Sequence, residues 1–247
     1  MSMSEIETFK DISALASRAA DIFQAASQEA IQSRGQFFAA LSGGTTPVHL
    51  FDRLACDPYA ARIDWSKTRL FWSDERCVPP NHSDSNYLRA VVHLISRISI
   101  PRENVYRIRG ELAADQAAAA YEAELRGCFN SLPVFDLVLL GLGPDGHTAS
   151  LFPHSPVLDE KAKWVVGVQH AAPPPPLVDR VSLTLPVINA ARQVVFLVAG
   201  ADKAAMVARI IRTPCAEPLL PAQRVAPTSG KLKWLIDQPA LGNLDEI

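Results

Sequence analysis

Asp145 and His147 stand two residues apart in the run GLGPDGH (141–147), and they are the strongest chemical signal in the chain. An imidazole is the side chain best suited to take and return a proton near neutral pH. A carboxylate beside it can orient the ring and favour its protonated form. The alternative is a histidine that merely caps a helix, HTASLF (147–152). Gly141, Gly143 and Gly146 also fit the GxGxxG spacing of a dinucleotide loop. That reading fails on three counts. The match lies mid-chain, functional side chains crowd the turn, and the following strand, WVVGV, ends at Gln169 rather than at an acid for a ribose.

A second run suits an anion. After the apolar stretch QFFAAL come Ser42, Gly43, Gly44, Thr45 and Thr46, and then Pro47, a residue that fits the first position of a helix with Thr46 as N-cap. Two glycines let the backbone turn sharply and bring its amides close to a ligand. The helix that follows aims free N–H groups and its positive dipole end at the same place. Three hydroxyls add donors, so the loop suits a phosphate. It lacks the Gly-Lys-Ser/Thr ending of a nucleotide-triphosphate loop. Arg180, opening RVSLTL, and Lys203, after VVFLVAG, can supply cations, Arg by a bidentate grip and Lys as a point charge. A third loop, FWSDERCVPP, carries Asp74, Glu75 and Arg76. Arg76 can bind substrate or stabilise an oxyanion, and Asp74 can accept from sugar hydroxyls. Ser73 and Ser150 lie in no GxSxG elbow, so no nucleophilic serine is indicated.

Each of these polar runs follows an apolar segment of strand length. Spacings of three and four predict an amphipathic helix over 11–33, ended by Gly35. Strands are expected over 36–41, 69–72, 135–140, 163–168, 180–185 and 193–198, with a short last one at 234–236. Helices are expected from Pro47, over 87–98 and 113–129, and from Ala201, with 73–86 as a loop. Strands alternating with helices give an α/β fold: an open, mostly parallel sheet with helices on both faces. Ligands of such sheets bind beyond the carboxyl ends of the strands, where the unusual sequences fall. Pro173–Pro176 reads as a stiff connector. No repeat or domain boundary is evident, so residues 1–247 read as a single domain.

Composition excludes several classes. Hydrophobic residues make up 48% and charged residues 20% of the 247, which fits a soluble globular protein with a large core. A net charge of −2 implies no bulk attraction to nucleic acid or to an anionic membrane. No apolar stretch approaches the roughly 20 residues that span a bilayer. Cys56, Cys77, Cys128 and Cys215 form no CxxC pair or zinc-ligand cluster and read as free thiols in a reducing compartment. The N-terminus, MSMSEIETFK, has no apolar signal region, and a cytoplasmic location is expected.

Four segments, LSGGTTP, FWSDERCVPPNHSDSNY, LGLGPDGHTASLFP and RVSLTLPVINAARQVVFLVAGADKA, appear in that order between Leu41 and Ala204. Together they resemble the 6-phosphogluconolactonases of the glucosamine-6-phosphate isomerase/6-phosphogluconolactonase family. The resemblance implies the open α/β fold shared with glucosamine-6-phosphate deaminases. It implies a small-molecule substrate, the phosphorylated sugar lactone 6-phosphoglucono-1,5-lactone of the oxidative pentose phosphate pathway, and no cofactor or metal. By position, His147 is then the general base, Asp145 its neighbour and Arg76 a substrate-binding arginine. Ser42, Gly43, Gly44 and Thr45 match the phosphate loop, and Arg180 and Lys203 match positions that hold phosphate in the deaminases. One departure is evident: many lactonases carry a lysine in the proline-rich segment before RVSLTL, and HAAPPPPLVD has none. Two rivals share the fold. A sugar-phosphate isomerase or deaminase would use Asp74 with His147, but carries an Asn-Glu-containing continuation where this chain has HTASLFP. A non-catalytic sugar-phosphate-binding domain of a regulator would need a DNA-binding segment, and the first 35 residues offer no helix-turn-helix.

Overall fold

The computed structural model describes residues 5–213 and 218–242. Cys215 and the C-terminal tail beyond Gly242 lie outside the described residues. The strands are β1 (Glu5–Phe9), β2 (Phe37–Leu41), β3 (Thr68–Trp72), β4 (Asp74–Arg76), β5 (Leu137–Leu140), β6 (Val165–Val168), β7 (Arg180–Leu183), β8 (Gln193–Val198) and β9 (Lys231–Asp237). The α-helices are α1 (Ile12–Arg34), α2 (Thr46–Leu54), α3 (Tyr59–Arg62), α4 (Asn86–His93), α5 (Ala114–Cys128), α6 (Leu185–Asn189), α7 (Ala204–Arg212) and α8 (Gln238–Leu241).

Local sequence explains the long first helix. The Asp11 carboxylate accepts from the Ala14 N–H at 2.8 Å, a cap worth about 1 kcal/mol. Leu15, Ala19, Ile22, Phe23 and Ala30 bury the face expected from their spacing. The Gly35 N–H then donates to the Ile31 carbonyl at 2.9 Å and ends the helix.

Six strands form one sheet in the order β1-β9-β8-β5-β2-β3. Every neighbouring pair in it is parallel. The LVLL residues of β5 are all buried, as a strand covered on both faces requires. From β1 the chain steps across to β2 and β3; afterwards it steps back through β5, β8 and β9. With the right-handed crossovers usual for parallel strands, α1 and α2 fall on one face and α5 and α7 on the other. The packing of α1 on α2 agrees. One apolar cluster runs from Leu15 to Ala240, with a satellite of Phe152, Val166 and Val168 beside it.

The expected parallel sheet is present, and several expectations are corrected. A separate antiparallel sheet, β4-β7-β6, takes the strands expected at 163–168 and 180–185, and β4 lies inside the expected loop 73–86. Apolar runs do not reveal strand direction, and β4 is the wholly charged triplet DER, which pairs with β7. The edge strand β1 lies outside the expected strands: its EIETF sequence carries glutamates at Glu5 and Glu7, and it pairs with β9 on one side only. Thr46 is the first helical residue of α2 and not its cap; Thr45 precedes it in a helical conformation without a side-chain cap bond. The helix expected over 87–98 ends at His93 and continues as a 3-10 turn at Ile95–Arg97, and the one expected from Ala201 begins with a 3-10 turn, Ala201–Lys203.

Candidate active site

The chain leaves β2 toward β3 and leaves the adjacent β5 toward β8, in opposite directions along the sheet. Their carboxyl ends thus flank the topological switch point, where open α/β sheets bind ligands. The loop after β2 is Ser42–Thr45, and the loop after β5 begins at Gly141. The two start side by side: a Cβ on Gly141 would lie 3.7 Å from Ser42 Oγ. Gly143, against which the His147 ring packs, is two residues further and so at most about 7 Å along the chain. The Ser42 loop and the loop that carries the imidazole therefore leave the same sheet edge side by side.

In the first loop, Ser42 is buried and Gly44 turns with φ +94°. Gly43 admits no side chain, because a Cβ would fall 2.0 Å from Asn86 Oδ1. Asn86 is 1% exposed, and this oxygen has no hydrogen-bond partner. At the start of α2 no side-chain cap bond forms, so its first N–H groups lack that partner.

In the second loop, the Gly143 N–H donates to the His147 carbonyl at 2.8 Å, and the Gly146 N–H donates to the Gly143 carbonyl at 3.1 Å. This tight turn brings Asp145 Oδ1 to 3.1 Å from the His147 backbone N–H and 2.5 Å from its Nδ1. With Nδ1 engaged, Nε2 is the nitrogen left to take a proton. Burial raises the Asp145 carboxyl, but the hydrogen bond and charge of His147 outweigh it and hold the group below the usual carboxylate range. A Cβ on Gly143 would fall 2.1 Å from His147 Nδ1, so that glycine makes room for the ring. The stretch 147–152 is not a helix: Thr148 Oγ1 donates to the Gly141 carbonyl at 2.9 Å and Ser150 Oγ to Asp74 at 2.7 Å.

The two arginines meet across the small sheet, with Arg76 opposite Arg180 in the β4–β7 register. Arg180 is 3% exposed, and among the described residues its guanidinium donates to the carbonyls of Pro176 (3.0 Å) and Val178 (3.3 Å). Arg76 Nη1 donates to the Asp84 carbonyl at 2.8 Å, and its buried Nε has no partner. Among the described residues neither forms a salt bridge. Burial pushes the Arg180 guanidinium down, the Arg76 charge adds to that, and Asp74 opposes it. Two such cations side by side suit an anion. Lys203 lies past β8, the strand next to β5, with its ammonium 2.9 Å from Asp202; among the described residues no bond links it to the loops after β2 and β5.

Asp74 sits differently from the sugar contact expected of it. It is 5% exposed; Oδ2 accepts from Ser150 Oγ, and Oδ1 from Asn86 Nδ2 at 3.3 Å. Glu75, which the sequence placed in the charged loop without a role, is a structural anchor. Its buried carboxylate accepts the N–H groups of Arg76, Asn86 and Tyr87 at 2.7–2.8 Å and the Ser85 hydroxyl at 3.0 Å, fixing β4 to the start of α4. Burial pushes this carboxyl up, and the amides oppose it. Sequence reasoning missed Asn86, Ser150 and Phe152, although Ser85-Asn86 at a helix start was a legible capping signal. Among the described residues no cluster of three or more His, Cys, Asp or Glu is placed to hold a metal, and no helix is long and apolar enough to cross a membrane.

The fold defines an open-sheet α/β protein with a candidate ligand site at the switch point. The chain belongs to the family described as glucosamine-6-phosphate isomerases/6-phosphogluconolactonase, whose model matches residues 10–234. It is similar to the 6-phosphogluconolactonase of Homo sapiens, 44% identical over 211 residues, covering 84% of this chain and 81% of that one. It is also 39% identical over 232 residues to a rice protein (Oryza sativa subsp. indica) named probable 6-phosphogluconolactonase 3, chloroplastic, covering 90% and 70% of the two chains. A solved 6-phosphogluconolactonase from Trypanosoma brucei superposes with a TM-score of 0.86 at 27% identity, covering 99% of this chain and 100% of that one.

Proposed function

We propose that the protein hydrolyses 6-phosphoglucono-1,5-lactone to 6-phosphogluconate, in the oxidative pentose phosphate pathway, with His147 as general base. The observation that carries this reading is the imidazole itself: Asp145 holds Nδ1 at 2.5 Å, and Nε2 is left for chemistry at the sheet edge from which the Ser42 loop also leaves. Ser42, Gly43, Gly44, Thr45 and Thr46 bind the phosphate with Arg180 and Lys203. That anchoring fixes the lactone carbonyl near the base. Nε2 takes a proton from water while the water oxygen attacks C1. The carbonyl becomes an oxyanion facing Arg76. On collapse the bond from C1 to the ring oxygen breaks, and protonated His147 gives its proton to that oxygen. The new carboxylic acid releases a proton at neutral pH. A δ-lactone is an activated ester, so this sequence needs no cofactor.

Asp74 supports hydrolysis over isomerisation or deamination. A base for a substrate C2 proton must reach the substrate, whereas Asp74 is 5% exposed and turned to internal partners. The reading takes the chain as one domain acting on a small phosphorylated sugar lactone, with no nucleic-acid or membrane partner. Free thiols at Cys56, Cys77 and Cys128 support a reducing, cytoplasmic location. The test is proton release on freshly generated 6-phosphogluconolactone. Rapid release that is far slower with unphosphorylated gluconolactone is expected; equal rates on both, or none on either, overturn the reading.

A further inference from the structure

Phe152 follows His147 by five residues, and its ring is the common neighbour of three functional groups. The His147 ring centre lies 4.6 Å away at an interplanar angle of 44°. The His170 ring stacks on it at 4.2 Å and 15°. The Arg180 guanidinium carbon lies 5.7 Å from its centre, within cation–π range. Phe152 is 8% exposed, so this is an interior contact.

Asp145 alone does not fix the imidazole. One carboxylate oxygen at Nδ1 holds one atom, and the ring can still pivot about that contact and carry Nε2 with it. The Gly143 backbone and the Phe152 ring supply the surfaces that stop the pivot. Phe152 is itself backed. His170 is 7% exposed, its Nε2 lies 2.7 Å from the Pro174 carbonyl, and its N–H donates to Asp179 at 3.2 Å. The proline-rich segment thus bears on the base through His170 and Phe152. Arg180, which donates to the Pro176 carbonyl of the same segment, meets the other part of that ring system.

We propose that Phe152 is a positioning residue that sets where Nε2 of His147 stands relative to the Arg180 guanidinium, with His170 as its backstop. The inference rests on the reading of His147 as the base. It goes beyond that reading by giving the segment 170–179 a mechanical role, in which its carbonyls hold the two side chains that flank Phe152.

Four measurements test it. Phe152→Leu, which keeps an apolar side chain, is expected to lower kcat on 6-phosphogluconolactone by about tenfold or more, since small misplacements near a base are costly. Phe152→Tyr, which keeps the ring, is expected to recover most of that loss. In a His147→Ala background, Phe152→Leu is expected to change the residual rate by less than about twofold, because the residue acts through the imidazole. Independently of activity, the ring 15N signals of His147 should show one tautomer, protonated at Nδ1, in the unsubstituted protein, and averaged or broadened signals in Phe152→Leu. An unchanged kcat in Phe152→Leu, equal losses in both backgrounds, no recovery with Tyr, or unchanged His147 ring signals overturns the positioning role. A protein without lactonase activity whose His147 signals still loosen in Phe152→Leu keeps the positioning role and sinks only the assigned reaction.

Discussion

The Ser150 hydroxyl donates a 2.7 Å hydrogen bond to the Asp74 carboxylate across 76 residues of sequence. Asp74 also accepts from Asn86, on its side chain at 3.3 Å and on its backbone carbonyl at 2.9 Å. Asn86 in turn packs on Gly43. One buried carboxylate therefore ties the loop that carries His147 to the support of the loop proposed to hold phosphate. Replacing Asp74 with Ala orphans the buried Ser150 hydroxyl and removes the longer of the two Asn86 bonds, leaving the one to the backbone carbonyl. Each buried donor so orphaned costs about 1–3 kcal/mol. Urea denaturation should show a loss in that range, with kcat reduced; an Asp74→Ala protein of unchanged stability and turnover contradicts the tie.

Gly43→Ala tests the other end of the same chain of contacts. Its methyl group would overlap Asn86, and overpacking of this kind typically costs about 1–3 kcal/mol. The loop must shift to relieve it, so KM for the phosphorylated lactone should rise while the slow rate on the unphosphorylated lactone changes little. Asn86→Ala in the same chain removes the obstacle and should restore part of the affinity. Steady-state kinetics of the two single variants and the double variant measure this.

Arg180 is a buried cation with carbonyl partners and, among the described residues, no carboxylate salt bridge; it pairs with Arg76 across the small sheet. Such a group is held at a cost to stability. Arg180→Met, similar in volume, should therefore leave the melting temperature unchanged or raise it, while raising KM roughly tenfold or more, the loss of about 1.4 kcal/mol of anion binding. A variant that melts lower but binds as before would show the residue to be structural.

Asp145 carries a pH dependence whose sign follows from its lowered pKa. Burial raises the carboxyl, but the bond and charge of His147 outweigh it, so the folded value lies below the unfolded one. Its contribution to stability is then fully present above the unfolded value of about 3.9 and is lost as pH falls through the lower folded value. The stability gap between the unsubstituted protein and Asp145→Asn should shrink as pH falls below about 4. Acid titration of both proteins by circular dichroism reads the gap directly.

Much of the site was legible because its chemistry is local. Asp145 and His147 are two residues apart on one turn, and Ser42 to Thr46 are consecutive, so spacing alone brings each group together. The parallel sheet followed from apolar runs such as LVLL and QVVFLV. What sequence withheld depends on contacts between distant segments. Ser150 and Asp74 meet only after folding, as do Asn86 and Gly43, or Phe152 and His170. The charged strands EIETF and DER carry no apolar signature; the first pairs at an edge and the second is buried by an antiparallel partner.

The most direct test of the whole account is the turnover of His147→Ala at saturating 6-phosphogluconolactone. General-base help is typically worth about 10²–10⁴-fold. The account predicts a fall in kcat of that order, with the affinity for 6-phosphogluconate as a competitive inhibitor little changed. Full turnover in this variant would contradict it.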